Sequence, residues 1–164
     1  MPKQEKYNLQ RLLEMRERTR ESAIEVLGER RAQLAATERE LSKREKAVAD
    51  CRQAQQTAQS EMLEKSKDGI KNSEIILHRQ HLIDLRETET ELIAAVEQQK
   101  TVVARAAAEV EKALESLTEA SRELQTIEKH RENWRQAKRI ESTRKEQKTN
   151  DEIGAILHER SKFE

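Results

Sequence analysis

The chain has 164 residues, of which 39% are charged and 2% aromatic, with one proline, three glycines and 32 basic against 32 acidic side chains. One Trp, one Phe and one Tyr cannot fill a globular core, and a formal net charge of zero gives no support to general polyanion binding. The bias toward Ala, Glu, Lys, Leu and Arg, with apolar residues in register, excludes a disordered chain and points to long helices.

Residues 1–8 contain the proline and read as a frayed end. Asn8 is placed to cap a first helix whose opening apolar residues are Leu9, Leu12 and Leu13. That helix is expected over about 8–64. Two heptad columns run along it: Leu13, Arg20, Leu27, Leu34, Leu41, Val48, Gln55, Met62, and Leu9, Arg16, Ala23, Arg30, Thr37, Arg44, Cys51, Ala58. The second column alternates small residues with arginine, whose stem can cover apolar surface while its head reaches water. Gly28 costs about 1 kcal/mol relative to Ala in a helix interior, which is too little to end the helix.

Lys65–Ser73 (KSKDGIKNS) is the expected turn. Asp68-Gly69 is a turn dipeptide, Asn72 or Ser73 offers an N-cap, and Glu74 falls in the next first turn. Heptad phase is lost here.

A second helix is expected over about 74–160. From Ile75 to Trp134 one column reads Ile75, Leu82, Glu89, Val96, Val103, Val110, Leu117, Leu124. The other reads His78, Leu85, Leu92, Gln99, Ala106, Ala113, Ala120, Ile127, Trp134. An apolar stripe two residues wide per heptad needs a partner helix supercoiled against it. A helix that stops and restarts across so short a connection folds back on its neighbour. The expected fold is all-α: one long two-helix antiparallel coiled-coil hairpin over 1–164 with a protruding C-terminal helical tail. Folding about residue 69 places Leu9 near residue 129 and Leu13 near 125. The hairpin then measures about 90 Å, from some 60 residues at about 1.5 Å each. A parallel dimer of one continuous helix is the competing architecture, and the turn and phase loss oppose it.

Two regions carry surplus apolar residues. Near the turn, Ile70, Ile76, Leu77 and Ile83 lie off the columns; they belong either to a locally wider seam or to an exposed contact patch. Beyond Ala137 the second helix has no partner, yet Ile153, Ile156 and Leu157 cluster at i, i+3, i+4, followed by Phe163. They mark either a frayed end or a docking helix. From Lys129 to Lys148 eight basic residues face three acidic ones, which is either a solvated flank or a face for an acidic partner surface.

Chemistry is sparse. Three scattered glycines build no phosphate loop. His78 and His81 lack the further ligands of a metal site and read as incidental. Cys51, the single cysteine, cannot form an intrachain disulfide and reads as a small buried hydrophobe. Trp134 reads as a packing anchor. Carboxylates on a two-helix rod have no concave pocket to shift their pKa, so no enzyme is expected. With no signal-peptide h-region and no membrane-spanning apolar run, a soluble cytoplasmic protein is expected.

Several stretches together resemble the FliJ/YscO family, central-stalk proteins of flagellar and type III secretion export ATPases. They are Leu9-Gln10-Arg11-Leu12-Leu13, the Leu27-Gly28-Glu29-x-Arg31 step, the glycine turn with Asn72-Ser73, and Lys145–His158 (KEQKTNDEIGAILH) preceded by Trp134. The last stretch looks closer to injectisome stalk proteins, chlamydial ones especially, than to flagellar ones. The resemblance implies a monomeric stalk without cofactor or metal. Its terminal end would enter a hexameric export ATPase through Lys129, Arg131, Arg135, Lys138, Arg139, Arg144, Lys148, Ile153, Ile156 and Leu157. Its turn end would meet the cytoplasmic ring of the export-gate protein through Ile70, Ile76, Leu77, Leu82, Ile83 and Leu85. It also implies a cytoplasmic position at the base of a membrane export apparatus and contact with export chaperones for some members. A nucleic-acid or membrane-surface binder is a third reading, which the zero net charge and the lack of a basic amphipathic stripe with aromatics oppose, so no nucleic acid and no membrane insertion are expected. A structural scaffold or a secretion chaperone is the alternative.

Overall fold

The structure, a computed structural model, describes residues 7–160. It contains two α-helices, α1 (Gln10–Lys67) and α2 (Asn72–Arg160), packed on each other as a helical hairpin, with no strand among the described residues. The predicted residues 1–6 of the frayed end, and Phe163, lie outside the described residues. Contacts group into two units, one made of the residues up to Ile24 with those from Ser116 onward, the other of Glu25–Glu115.

The heptad columns of α2 form the seam in both units. Every member from Ile75 to Trp134 is buried or half-buried, with Val96, Gln99, Ala113, Ala120 and Leu124 fully so. In α1, Leu13, Leu27, Val48, Cys51 and Ala58 are buried, but two column members leave the seam. Arg20 and Arg30 are exposed, because a guanidinium gains more from water than its stem gains from the seam. Arg16 and Arg44 stay half-buried by finding partners on α2. Arg16 pairs with Glu123, and Arg44 Nη1 donates to the Ala95 carbonyl at 3.0 Å.

The expected antiparallel pairing is observed within each unit. In the first, Tyr7 meets His130 and Arg16 meets Glu123. In the second, Gln99 Nε2 donates to the Thr37 carbonyl at 3.0 Å, and Cys51 Sγ lies 3.3 Å from the Leu85 carbonyl. Folding about residue 69 places the partner of each within a few residues of these positions.

Both ends of the turn differ in detail from the sequence reading. α1 continues through Lys65–Lys67, whose last-turn lysines suit the negative end of the helix dipole. α2 begins at Asn72, so only 68–71 connect the helices. The Lys71 carbonyl accepts from the Glu74 and Ile75 amides at 3.0 and 3.2 Å. Lys71 therefore holds the cap position expected of Asn72 or Ser73, with Glu74 in the first turn as expected. Gly69 makes the reversal possible with φ +85°, a backbone region that costs an L side chain about 1–2 kcal/mol. Gly28, by contrast, passes inside α1 without interrupting it. At the start of α1, the Gln10 amide donates to the Tyr7 carbonyl at 3.1 Å. The Leu9 carbonyl accepts from the Leu13 amide at 3.0 Å, so the cap falls one residue later than the expected Asn8, and Tyr7, read from sequence as part of a frayed end, is buried.

Candidate functional site

In the unit Glu25–Glu115, the turn end exposes a group of large apolar side chains. Ile76, Leu77 and Ile83 are 61%, 70% and 46% exposed, and Leu63 is 63% exposed. A seam two columns wide covers only the residues that point along it, so off-column residues at its end meet water. Of the six residues that sequence placed here, Ile76, Leu77 and Ile83 are outward. Leu82 and Leu85 are half-buried as seam members, and Ile70 is half-buried in the turn. Leu63 was not singled out from sequence; its signal was its place one residue after the column member Met62.

In the other unit, an aromatic cluster ties the start of the described chain to α2. Tyr7 Oη and His130 Nδ1 are 2.7 Å apart. The Tyr7 ring stands 5.4 Å from Trp134 at 57° and 5.7 Å from His130 at 46°, the tilted geometry that aromatic quadrupoles prefer. Trp134 is half-buried, an anchor as expected, and Tyr7 is the partner that sequence reading missed.

Past Trp134 the apolar seam ends. The positions that continue its two columns are Lys138, Glu141, Lys145 and Lys148, and residues 141–159 are exposed throughout. With the apolar columns ended, α2 carries ion pairs along its own surface here. Glu141 accepts from Lys138 at 3.0 Å and from Lys145 at 2.7 Å. The hydrogen bond and charge of Lys145, then those of Lys138, push the Glu141 carboxyl down from 4.5 to about 2. A depressed folded-state pKa means that the pairing is complete above about 4.5 and is lost as the pH falls toward 2. The Glu141 side chain should titrate at about 2 by NMR, and the double substitution Lys138→Ala and Lys145→Ala should raise its midpoint toward 4.5.

Around this triad the basic residues read from sequence divide. Arg131 and Lys138 are half-buried, whereas Lys129, Arg135, Arg139, Arg144 and Lys148 are exposed. Ile153, Ile156 and Leu157 are 50–62% exposed. Ile140, 55% exposed, joins Ala137, Glu141, Arg144, Lys145 and Lys148 around a shallow depression on one helix face. It was not singled out from sequence because the positions seven residues to either side of it, Asn133 and Gln147, are polar. Such a surface can recognise a partner by charge and apolar contact. Among the described residues no cluster of three or more His, Cys, Asp or Glu is placed to hold a metal, and no helix is long and apolar enough to cross a membrane. His78 lies 3.4 Å from Lys65 Nζ.

The family model described as YscO-like protein matches residues 4–163. Among solved structures, a chain described as a YscO homologue, CT670 of Chlamydia trachomatis, matches with a TM-score of 0.81 and 25% sequence identity, over 98% of this chain and 99% of that one. No curated protein matches the sequence significantly.

Proposed function

Because this chain belongs to the YscO-like family, a family of type III secretion proteins, we propose that it is a non-catalytic coupling component of a type III secretion export apparatus. Its partners in this reading are a hexameric export ATPase, met by α2 beyond Trp134, and the export-gate ring, met by the turn end of the hairpin. The observation that carries the reading is the state of α2 after the seam stops. It remains helical to Arg160 while exposing residues 141–159 throughout. A helix with a basic flank and exposed apolar residues at i, i+3 and i+4 is suited to lie against an acidic, partly apolar wall.

The mechanism is one of unequal contact. A single asymmetric helix pair inside a ring of identical subunits touches them differently and so changes the relative free energies of their nucleotide states. Basic groups such as Arg139 and Arg144 steer entry into an acidic pore, with a dependence on ionic strength set by a screening length of about 8 Å at physiological salt. The exposed Leu63, Ile76, Leu77 and Ile83 supply apolar area for the second contact.

The test is the rate of ATP hydrolysis by the cognate export ATPase, alone, with the 164-residue chain, and with a chain ending at Ala137. The longer chain is expected to raise the rate and the shorter one to fail. A longer chain that alters neither the rate nor hexamer assembly would exclude the ATPase contact and favour a scaffold or chaperone role.

A further inference from the structure

Two polar residues interrupt otherwise apolar columns in the unit Glu25–Glu115, one on each helix. Gln55 stands in the column of Leu41, Val48 and Met62, and Glu89 in the column of Leu82, Val96 and Val103. In the structure they meet. Gln55 Nε2 donates to Glu89 Oε2 at 2.7 Å and lies 3.3 Å from the Leu85 carbonyl, while Arg52 Nε donates to Glu89 Oε1 at 2.6 Å. The Glu89 side chain is only 21% exposed. One further polar column residue, Gln99, is buried and donates to the Thr37 carbonyl.

We infer that the Arg52–Gln55–Glu89 cluster is a register lock, which selects one alignment of the two helices from alternatives that the heptad pattern alone leaves nearly equivalent. The inference stands apart from the proposed function and does not depend on it.

A heptad column repeats every seven residues, so sliding one helix by seven returns apolar residues to apolar positions along most of the columns that hold Gln55 and Glu89. The backbone carbonyls of a helix repeat as well, so bonds such as Gln99 to Thr37 discriminate weakly. The cluster discriminates strongly. One heptad of slip in one direction brings Glu89 to Val48 in place of Gln55, and to Glu45 in place of Arg52. That leaves a carboxylate against an aliphatic side chain and a like charge. Slip in the other direction brings Glu89 to Met62 and Gln59, leaving it without its cation.

This second slip is the serious competitor. It moves the reversal from Gly69 onto Asn72-Ser73, and Asn is among the few residues other than Gly that accept a left-handed backbone. The turn alone therefore does not exclude it. A half-buried carboxylate that exchanges Arg52 and Gln55 for Gln59 and Met62 does, because it loses its cation and its desolvation is then poorly compensated. Bonds from Arg52 and Gln55 hold the Glu89 carboxyl below its ordinary value, so it is charged at neutral pH and the lock is set. A polar residue at a seam position that fixes alignment at some cost in stability is a known property of coiled coils. Here the two interruptions on separate helices are matched to each other.

The test is a distance measurement between spin labels at Ala36→Cys and Thr101→Cys, two exposed positions on α1 and α2, in a Cys51→Ala background. The chain with its cluster intact is expected to give one distance. The variant Gln55→Leu with Glu89→Leu is expected to melt no lower, since leucines replace the two seam polar residues and Arg52, 59% exposed, is left to water, and to show a second population displaced axially by about 10 Å, seven residues at about 1.5 Å each. Glu89→Gln, whose amide oxygen still accepts from Arg52 and Gln55, is expected to keep one distance. A single unchanged distance in the leucine variant would overturn the lock. Should that variant lose helicity by circular dichroism, Glu89→Arg takes its place. Two distances are expected for Glu89→Arg alone and one when Arg52→Glu is added; one distance for both overturns the lock equally.

Discussion

Leu13→Ala is expected to destabilise the hairpin by about 2–5 kcal/mol, the range for emptying a fully buried leucine site. Leu13 is 1% exposed and the only large side chain buried to that degree among the described residues. It sits between two cross-helix ties, Tyr7 to His130 on one side and Arg16 to Glu123 on the other, with the buried Leu124 on the opposing stretch of α2. Alanine at this position leaves a cavity in the seam, so the cost lies above the transfer term alone. Met15, two residues on and 50% exposed, is the internal control: Met15→Ala should change stability by no more than about 0.5 kcal/mol. Thermal and urea unfolding of the two variants decides it. Equal effects would mean that Leu13 is not in the seam.

The second large effect is on function without an effect on stability. The double substitution Ile76→Asp and Leu77→Asp should leave the melting temperature nearly unchanged, because the two side chains are 61% and 70% exposed and lose little area to folding. Secretion through the apparatus should nevertheless be abolished, and binding to the isolated cytoplasmic ring of the gate protein lost, if these residues form the apolar centre of that contact. A carboxylate placed in such a centre is desolvated without a partner. Stimulation of the ATPase should persist in this variant, which separates the contact at the turn from the one beyond Trp134. A variant that secretes normally would remove the turn end from the proposed function.

Much of the hairpin was legible in the sequence, and the reason is local. The α2 columns from Ile75 to Trp134 are buried or half-buried at every position because period and phase are carried by the chain itself. The reversal at Gly69 followed from turn chemistry, and the pairing of Thr37 with Gln99 or Cys51 with Leu85 followed from where that reversal falls. The exposed face beyond Ala137 was legible for a related reason: the apolar columns run out and are replaced by Lys138, Glu141, Lys145 and Lys148.

What the amino-acid order determined by itself was therefore the helices, the turn between them and the alignment to within a heptad. Each depends on neighbours in sequence or on a repeat that needs no knowledge of the opposing surface. Only the tertiary structure decided the rest. Tyr7 is buried because Trp134 and His130 stand across from it. Lys71, rather than Asn72 or Ser73, takes the cap because α1 extends to Lys67 and shortens the connection. Arg20 and Arg30 leave the seam while Arg16 and Arg44 remain, since only the latter two find Glu123 and the Ala95 carbonyl opposite. Gln55 and Glu89 look like separate flaws in two columns until the fold brings them together. A side chain's burial and its partners belong to the pair of surfaces that meet, and a single strand of sequence specifies only one of them at a time.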